Sequence, residues 1–560
     1  MTEFADTLIA IAGKKAVLTG DRKTEFYRTG FRSGKGAAIA VVFPSTLLQL
    51  WQLLKTCVAH NKIIIMQAAN TGLTEGSTPS SNDYQREVVI INTTRITKII
   101  VLDQGRQIVS LSGATLHALE KTLKPFGRSP HSVIGSSCIG ASIVGGIANN
   151  SGGALVKRGP AYTELSLFAR CDAAGNLELV NHLGVELGDT PEQILDNLES
   201  ESFSAESIKY DSAPASDINY EQRLRAIDEN TPARYNADTG RLFEASGCAG
   251  KLAVFAVRLD TFPVAKEEQV FYLGTNNPAQ LTRLRRDILS QFAHLPETAE
   301  YMHRDCFNVA ERYGKDTFLL INYLGTRFMP RLFSIKGAID AYLNKINWLP
   351  NHLVDRLMQG AASLWPQHIP TRLRAYRDRY EHHLILKMSD EGIGEATQYL
   401  EQHYGNNPHD SEIEYIHCTA DEAKKAYLLR FAAAGAAIRY QQMQSKRVGE
   451  VLALDIALKR NEINWLEMLP ETIKNKIDKS LYYGHFLCHV FHQDYVLKKG
   501  ADQNEVKQAM LACLEKRSAK YPAEQNVGHL YQAEEGLAAF YAQLDPSETF
   551  NPGIGRLSGS

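Results

Sequence analysis

"MQAANTGLTEGST" (Met66–Thr78) follows directly on the apolar run Ile63–Ile64–Ile65. A strand-like stretch gives way at once to small, flexible and hydroxylated side chains, which suits a backbone that must approach another group closely. The stretch is not a Walker-type phosphate loop, because no Gly-Lys-Ser/Thr follows Gly72, and it is not Gly-x-Gly-x-x-Gly either. Gly72 and Gly76 permit positive φ, consecutive N–H groups can form an anion-binding nest, and Asn70, Thr71, Thr74 and Ser77 add neutral donors. Such a loop can hold a pyrophosphate without a lysine.

Working outward, "AAIAVVFP" (37–44), "KIIIMQ" (62–67) and "EVVIINT" (87–93) read as strands. "STLLQLWQLLKTCVAH" (45–60) reads as a helix with Ser45 as its N-cap. This β-α-β-β rhythm predicts an α+β or α/β domain. A second small-residue stretch, "HSVIGSSCIGASIVGGIANNSGG" (131–153), carries glycines at 135, 140, 145, 146, 152 and 153. So many would be costly inside a helix or strand, which predicts a second close-approach loop.

At 560 residues the chain exceeds one hydrophobic core and implies three or four domains or subdomains. A formal net charge of −2 gives no global basicity, so nucleic acid is not an expected partner. The eight cysteines form no Cys-x-x-Cys pair, which indicates neither a zinc ribbon nor a disulfide framework and fits a reducing, cytoplasmic compartment. "MTEFADTLIAIAGKKAVL" reads as a surface helix rather than a signal peptide. The run Val133–Ala148 is interrupted by Ser136, Ser137 and Ser142 and is too short and polar to span a bilayer, so any membrane contact is expected to be peripheral.

Two segments depart from the average. Residues 186–230 hold twelve Asp or Glu against Lys209, Arg223 and Arg225, and read as an exposed, partly disordered insertion. In 325–387, Arg327, Arg331, Lys336, Lys345, Arg356, Arg372, Arg374, Arg377, Arg379 and Lys387 are interleaved with Phe328, Phe333, Trp348, Leu349, Trp365 and Tyr376. That mixture suits an anionic membrane surface and equally a solvated helical insertion with a core of aromatics.

The two loops resemble the FAD-binding domain of the vanillyl-alcohol-oxidase type, with "FRSG" (31–34) and "AVVFP" (40–44) like its opening and "KLAVFAVRLD" (251–260) like its closing strand. "MQAANTGLTEGST", "PHSVIGSSCIGAS", "RGPAYTELSLFAR", "TPARYNAD", "RFAAAGAAIRY", "YYGHF" and "NPGIG" together resemble the family of bacterial quinone-dependent D-lactate dehydrogenases, peripheral membrane flavoproteins, over nearly the whole chain. The resemblance implies that Ala68, Ala69, Asn70, Thr71 and Gly72 wrap the FAD pyrophosphate. Gly76 and Ser77 complete that loop, Gly135, Ser142 and Gly152 come from the second, and Val254 offers backbone contacts. The first loop holds no His or Cys, so the FAD is expected to be non-covalent.

Oxidising a 2-hydroxy acid needs a cation for the carboxylate, an acceptor for the hydroxyl proton, and the C2 hydrogen aimed at the flavin. "YYGHFLCHVFHQDY" (482–495) places His485, His489 and His492 in one strand-like run, where alternation would separate His485 from His492 unless a bulge intervenes. In related 2-hydroxy-acid dehydrogenases a His-x6-His pair and a later Ala-Glu-His can bind a divalent metal. His485, His492 and Glu524 match that set, whereas Gln525 stands where the last His would be. A glutamine amide does not titrate near neutrality, which moves the expected base to His492 or His485. Arg430 resembles the carboxylate-binding position, with Arg439 as competitor. His382 and His383 face opposite ways on a strand and are expected to be structural.

No second dinucleotide fingerprint and no cysteine cluster for iron–sulfur ligation is present, so the electron acceptor is expected to be external. The reading is α+β: a two-part FAD-binding domain at 1–260 completed by 515–560, and an α+β cap at 261–303, 383–420 and 445–514. A basic helical membrane-binding insertion takes 304–382 and 421–444. The expected activity is oxidation of D-lactate to pyruvate, with electrons passed to ubiquinone or menaquinone at the cytoplasmic face of the bacterial inner membrane. A soluble FAD enzyme for another 2-hydroxy acid and a non-catalytic flavin-binding adaptor are the rivals.

Overall fold

Ile63–Gln67, Val88–Asn92 and Ala40–Val42 are apolar on both sides of the chain, as suits strands inside a sheet covered on both faces. They pair in parallel, Val88–Asn92 in the middle, with Val17–Thr19 added antiparallel at the edge. The helix Leu47–Ala59 makes the crossover and packs Leu47, Leu50, Trp51, Leu53, Leu54 and Cys57 inward. Its N-cap is Thr46 rather than Ser45. The Thr46 hydroxyl accepts from Gln49 N–H at 3.1 Å, and the Ser45 N–H is taken by the Gln49 side chain. The computed structural model describes residues 3–131, 140–325, 339, 353–405 and 412–557.

A second, antiparallel sheet runs in the order Ile99–Leu102, Gln107–Leu111, Ala253–Asp260, Ser166–Cys171 and Leu177–Asn181, and shares one apolar core with the first. Residues 186–230 pack into the cores rather than projecting from them, the first part here and Tyr220, Leu224 and Ile227 in the core of the third sheet. Thr190 and Gln193 form a capping box that starts the helix Pro191–Ser200, whose Ile194, Leu195 and Leu198 enter the shared core. The acidic excess misleads there because it lies on the outer face, while Asp217 is buried between Arg223 and Arg241.

The third sheet has seven strands in the order Ile413–His417, Glu268–Thr275, His382–Ser389, Thr298–His303, Ile477–His485, Val490–Lys498 and Val448–Ala457, every neighbour antiparallel. One face packs on helices Pro278–Gln291 and Gln503–Lys516, the other on Arg304–Tyr313 and Ala420–Met443. His382 and His383 sit on opposite faces, His382 meeting the Tyr301 hydroxyl at 2.8 Å and His383 lying among Tyr272 and Phe307. The chain's tail returns to the first sheet, where Ile64 N–H donates to Thr549 O and Asn551 N–H to Ile64 O.

Helices Lys315–Leu324, Leu353–Leu364 and Ala420–Met443 are pinned by Arg439, which bridges Asp316 and Asp355 at 2.9 Å each. Arg439 is therefore committed to packing. Among the basic residues of 325–387 that are described, Arg372, Arg377, Arg379 and Lys387 are paired with Glu422, Glu311, Glu414 and Glu268. Tyr376 is buried, but Leu364 and Trp365 are 88% and 53% exposed. Arg327, Phe328, Arg331, Phe333, Lys336, Lys345, Trp348 and Leu349 lie outside the described residues. Among the described residues no helix is long and apolar enough to cross a membrane.

Candidate active site

The first loop is closed by its own strand. Gln67 Nε2 donates to Tyr27 O and to Ser77 O, both at 2.8 Å, and Ser77 Oγ donates to Asn70 Oδ1 at 2.7 Å. Ala68, Ala69, Asn70, Thr71 and Gly72 line the resulting bend half-buried. Positive φ falls at Asn70 (52°) and Glu75 (65°), not at Gly72 or Gly76. The requirement at Gly76 is space: a Cβ there would lie 2.8 Å from Asn526 Nδ2.

Of the second loop, Ile143–Ala148 is one buried helical segment rather than loop, and Ser142 caps it by accepting from Gly145 N–H at 3.0 Å. Small residues are tolerated there because the segment is wedged against the core. Gly135 lies outside the described residues. A Cβ on Gly152 would collide with the Glu524 carboxylate, and Val254 is buried in the strand Ala253–Asp260. Asn526 joins the loops, accepting from Thr74 Oγ1 at 3.3 Å and bonding Asn149, while Asn551 Nδ2 donates to Gly76 O at 2.8 Å. Each loop also keeps a buried polar atom without a partner among the described residues, Thr78 Oγ1 and Asn150 Oδ1. Buried polar atoms are rarely left so, and an FAD held between the loops fits them.

His485 and His492 do not share one strand. The run breaks at Phe486–His489, with His489 at φ 55°, and folds back as a hairpin. His485 stands opposite Val490 and Tyr483 opposite His492, which puts the two imidazoles on a diagonal of the same face. Their Nε2 atoms are 3.3 Å apart, and His485 Nε2 lies 3.6 Å from Glu524 Oε2. His489 points away and bonds Lys459 O through Nδ1.

The other ring nitrogens explain the arrangement. His485 Nδ1 meets Glu300 Oε1 at 2.6 Å and His492 Nδ1 meets Asp455 Oδ1 at 3.2 Å. Burial opposes the charge on Glu300, but His485 and Arg430 outweigh it and hold the carboxyl down at about 2. Asp455 is likewise held low against its burial, chiefly by His492. Ionised carboxylates only accept, so each Nδ1 carries a proton toward its carboxylate and each Nε2 faces the other ring. Two lone pairs at that separation repel unless a proton or a cation lies between them. Burial would lower the His492 pKa, yet Asp455 and Glu524 raise it. The three ligand atoms of His485, His492 and Glu524 lie within 4.8 Å of one another, and both imidazoles are backed by a carboxylate, as metal-binding histidines usually are. A divalent metal fits this donor set.

Arg430 does not stand free for a carboxylate. Its Nη2 is paired with Glu300 Oε2 at 2.9 Å and its guanidinium lies over Tyr483, while Nε is buried without a partner among the described residues. Sequence reasoning missed Glu300, Asp455 and Arg234, the last paired with Glu524 and donating to Gly153 O at 2.7 Å. The signal was present in "TAEYMH" and "VLALDIAL": a lone acid inside an apolar strand must be partnered.

Residues 270–560 match the family model described as "D-lactate dehydrogenase, membrane binding", and residues 38–165 match the FAD binding domain. The chain is 56% identical over 555 residues to the quinone-dependent D-lactate dehydrogenase of Escherichia coli K12, covering 99% of this chain and 96% of that one. The chain belongs to the quinone-dependent D-lactate dehydrogenase family. Family members from Haemophilus influenzae and Corynebacterium glutamicum are 54% and 43% identical, each over 99% of this chain and 98% and 97% of theirs. Solved structures place this D-lactate dehydrogenase family member in the vanillyl-alcohol-oxidase-type fold. p-Cresol methylhydroxylase with substrate bound has a TM-score of 0.57 at 11% identity, covering 99% of this chain and 96% of that one. An alkyldihydroxyacetonephosphate synthase has a TM-score of 0.57 at 12% identity, covering 99% and 86%. The membrane-binding match fits a peripheral membrane protein.

Proposed function

We propose that this chain oxidises D-lactate to pyruvate at a non-covalent FAD and delivers the electrons to ubiquinone or menaquinone on the cytoplasmic face of the bacterial inner membrane. The observation that carries the reading is the convergence of His485, His492 and Glu524 beside Gly152, where the second flavin loop touches Glu524. FAD, when bound, supplies the acceptor for the hydride leaving C2.

The protein's own groups handle the remainder. His492 is the most exposed member of the cluster, at 27%, and its Nε2 takes the hydroxyl proton. Asp455 stabilises the imidazolium that results. A divalent cation held by His485, His492 and Glu524 would occupy that Nε2 lone pair and, in place of His492 as the base, lower the pKa of the substrate hydroxyl. Arg430, half committed to Glu300, keeps Nε for the substrate carboxylate. Ala68–Gly72, Gly76, Ser77, Ser142, Gly152 and Val254 form the flavin cradle, with Ser142 acting through the helix it caps.

The surface of helices Lys315–Leu324, Leu353–Leu364 and Ala420–Met443 exposes Tyr323, Leu357, Leu364, Trp365, Phe431 and Ile438 and supplies the lipid contact. Within the division set out above, 304–382 and 421–444 form the membrane-binding segment. The test is quinone reduction by purified protein on anionic vesicles with D- or L-lactate. D-lactate alone should support turnover. Rapid oxygen consumption without quinone, or equal use of both enantiomers, would overturn the reading.

A further inference from the structure

Three carboxylates surround the two imidazoles. Glu300 is paired with Arg430 and Glu524 with Arg234, but Asp455 is paired with no guanidinium or ammonium among the described residues. It stands in register directly opposite His492 on the strand Val448–Ala457, with its side chain 13% exposed. One oxygen meets His492 Nδ1 at 3.2 Å, and the other accepts the Glu524 backbone N–H at 2.9 Å. Its own backbone carbonyl accepts from Ala523 N–H at 3.1 Å. His492 and Glu524 come from different parts of the chain, one inside the sheet and one from the segment that follows the last sheet helix. Asp455 reaches the imidazole of the first and the backbone of the second.

We infer that Asp455 is the positioning residue of this cluster. It sets His492 in the tautomer that presents Nε2, and it fixes the Glu524 backbone so that the Glu524 carboxylate and the two imidazoles converge on one divalent cation. The inference rests on the reading of the cluster as a cation site. A carboxylate present for packing alone would not need its two oxygens shared between two ligands. A carboxylate behind His492 also raises the basicity of that ring toward a cation on its far side.

Asp455→Asn separates positioning from folding. The amide has nearly the same shape, but it can offer one acceptor and one donor where Asp455 offers two acceptors. Either the Glu524 N–H loses its partner, or an N–H confronts His492 Nδ1 and drives the proton to Nε2, the wrong tautomer for a ligand. The experiment is equilibrium dialysis of full-length, FAD-loaded protein, stripped with chelator, against graded Zn²⁺, with bound metal counted by mass spectrometry. Wild type should bind one equivalent. Asp455→Asn should bind about 10- to 100-fold more weakly with unchanged FAD content, the loss typical of an outer carboxylate. Excess Zn²⁺ should restore the variant's flavin bleaching by D-lactate, which no purely structural defect would allow. Equal Zn²⁺ affinity in variant and wild type would overturn the role of Asp455. Absence of Zn²⁺ binding by wild type would overturn the cation reading and the inference with it, leaving D-lactate oxidation to stand on its own test.

Discussion

Glu300→Gln is the perturbation whose size follows most directly from the structure. Glu300 lies on a central strand, 5% exposed, and holds His485 with one oxygen and Arg430 with the other. Burial raises its pKa, but His485 and Arg430 overcome that and bring it from 4.5 to about 2. A shift of that size corresponds to about 3 kcal/mol of stability, within the range for breaking a buried ion pair. Because the folded-state pKa is the lower one, the contribution is complete above the unfolded value near 4.5 and disappears as pH falls toward 2. Urea titration of the FAD-loaded protein at pH 7, followed by circular dichroism, should show Glu300→Gln less stable by about 3 kcal/mol with an unchanged denaturant slope. The deficit should shrink below pH 4.5. A loss under about 1 kcal/mol at pH 7 would refute the view that Arg430 and His485 depend on this carboxylate.

Arg439→Met removes the cation between Asp316 and Asp355 and should cost about 3–5 kcal/mol, read as rapid proteolysis near Leu353–Leu364 while FAD stays bound. Gly152→Ala forces the Glu524 side chain away and should yield protein with reduced flavin absorbance per chain; full flavin occupancy would remove the steric argument. Burial lowers His382 to about 4 and His383 to about 3, with smaller contributions from His303 and nearby charges. These rings stay neutral in the folded chain and protonate in the unfolded one, so stability should be level above about pH 6.5 and fall as pH drops below it. His383→Phe should recover about 2 kcal/mol of the wild-type loss at pH 5 in urea titrations. Replacing Leu364 and Trp365 by Asp should abolish sedimentation with anionic vesicles and leave D-lactate bleaching of the flavin intact.

The flavin-binding half was readable because close approach leaves its mark in residue type. Strands 40–42, 63–67 and 88–92 and the helix between them follow from apolar periodicity alone. Finer assignments slipped where several residues serve one geometric need. Thr46 caps in place of Ser45, and Asn70 and Glu75 take the left-handed φ assigned to glycines. The histidine pair was visible but its geometry was not, because "HFLCHVFH" carries no Gly-Asn turn signal and folds back at His489. Arg430 was singled out by resemblance, and its pairing with Glu300, 130 residues away, is announced by nothing local. Composition failed most clearly at 186–230, where three apolar residues at helical spacing outweigh the acidic surface.

The account stands most directly on a single-turnover comparison under nitrogen: FAD-loaded wild type and His492→Ala, each mixed rapidly with D-lactate while the visible flavin band is followed. Wild type should bleach fully, and His492→Ala should bleach at least about 100-fold more slowly at equal FAD content, the loss expected when a positioned proton acceptor is removed. Equal bleaching rates in the two proteins would contradict the assignment of proton transfer to this histidine cluster.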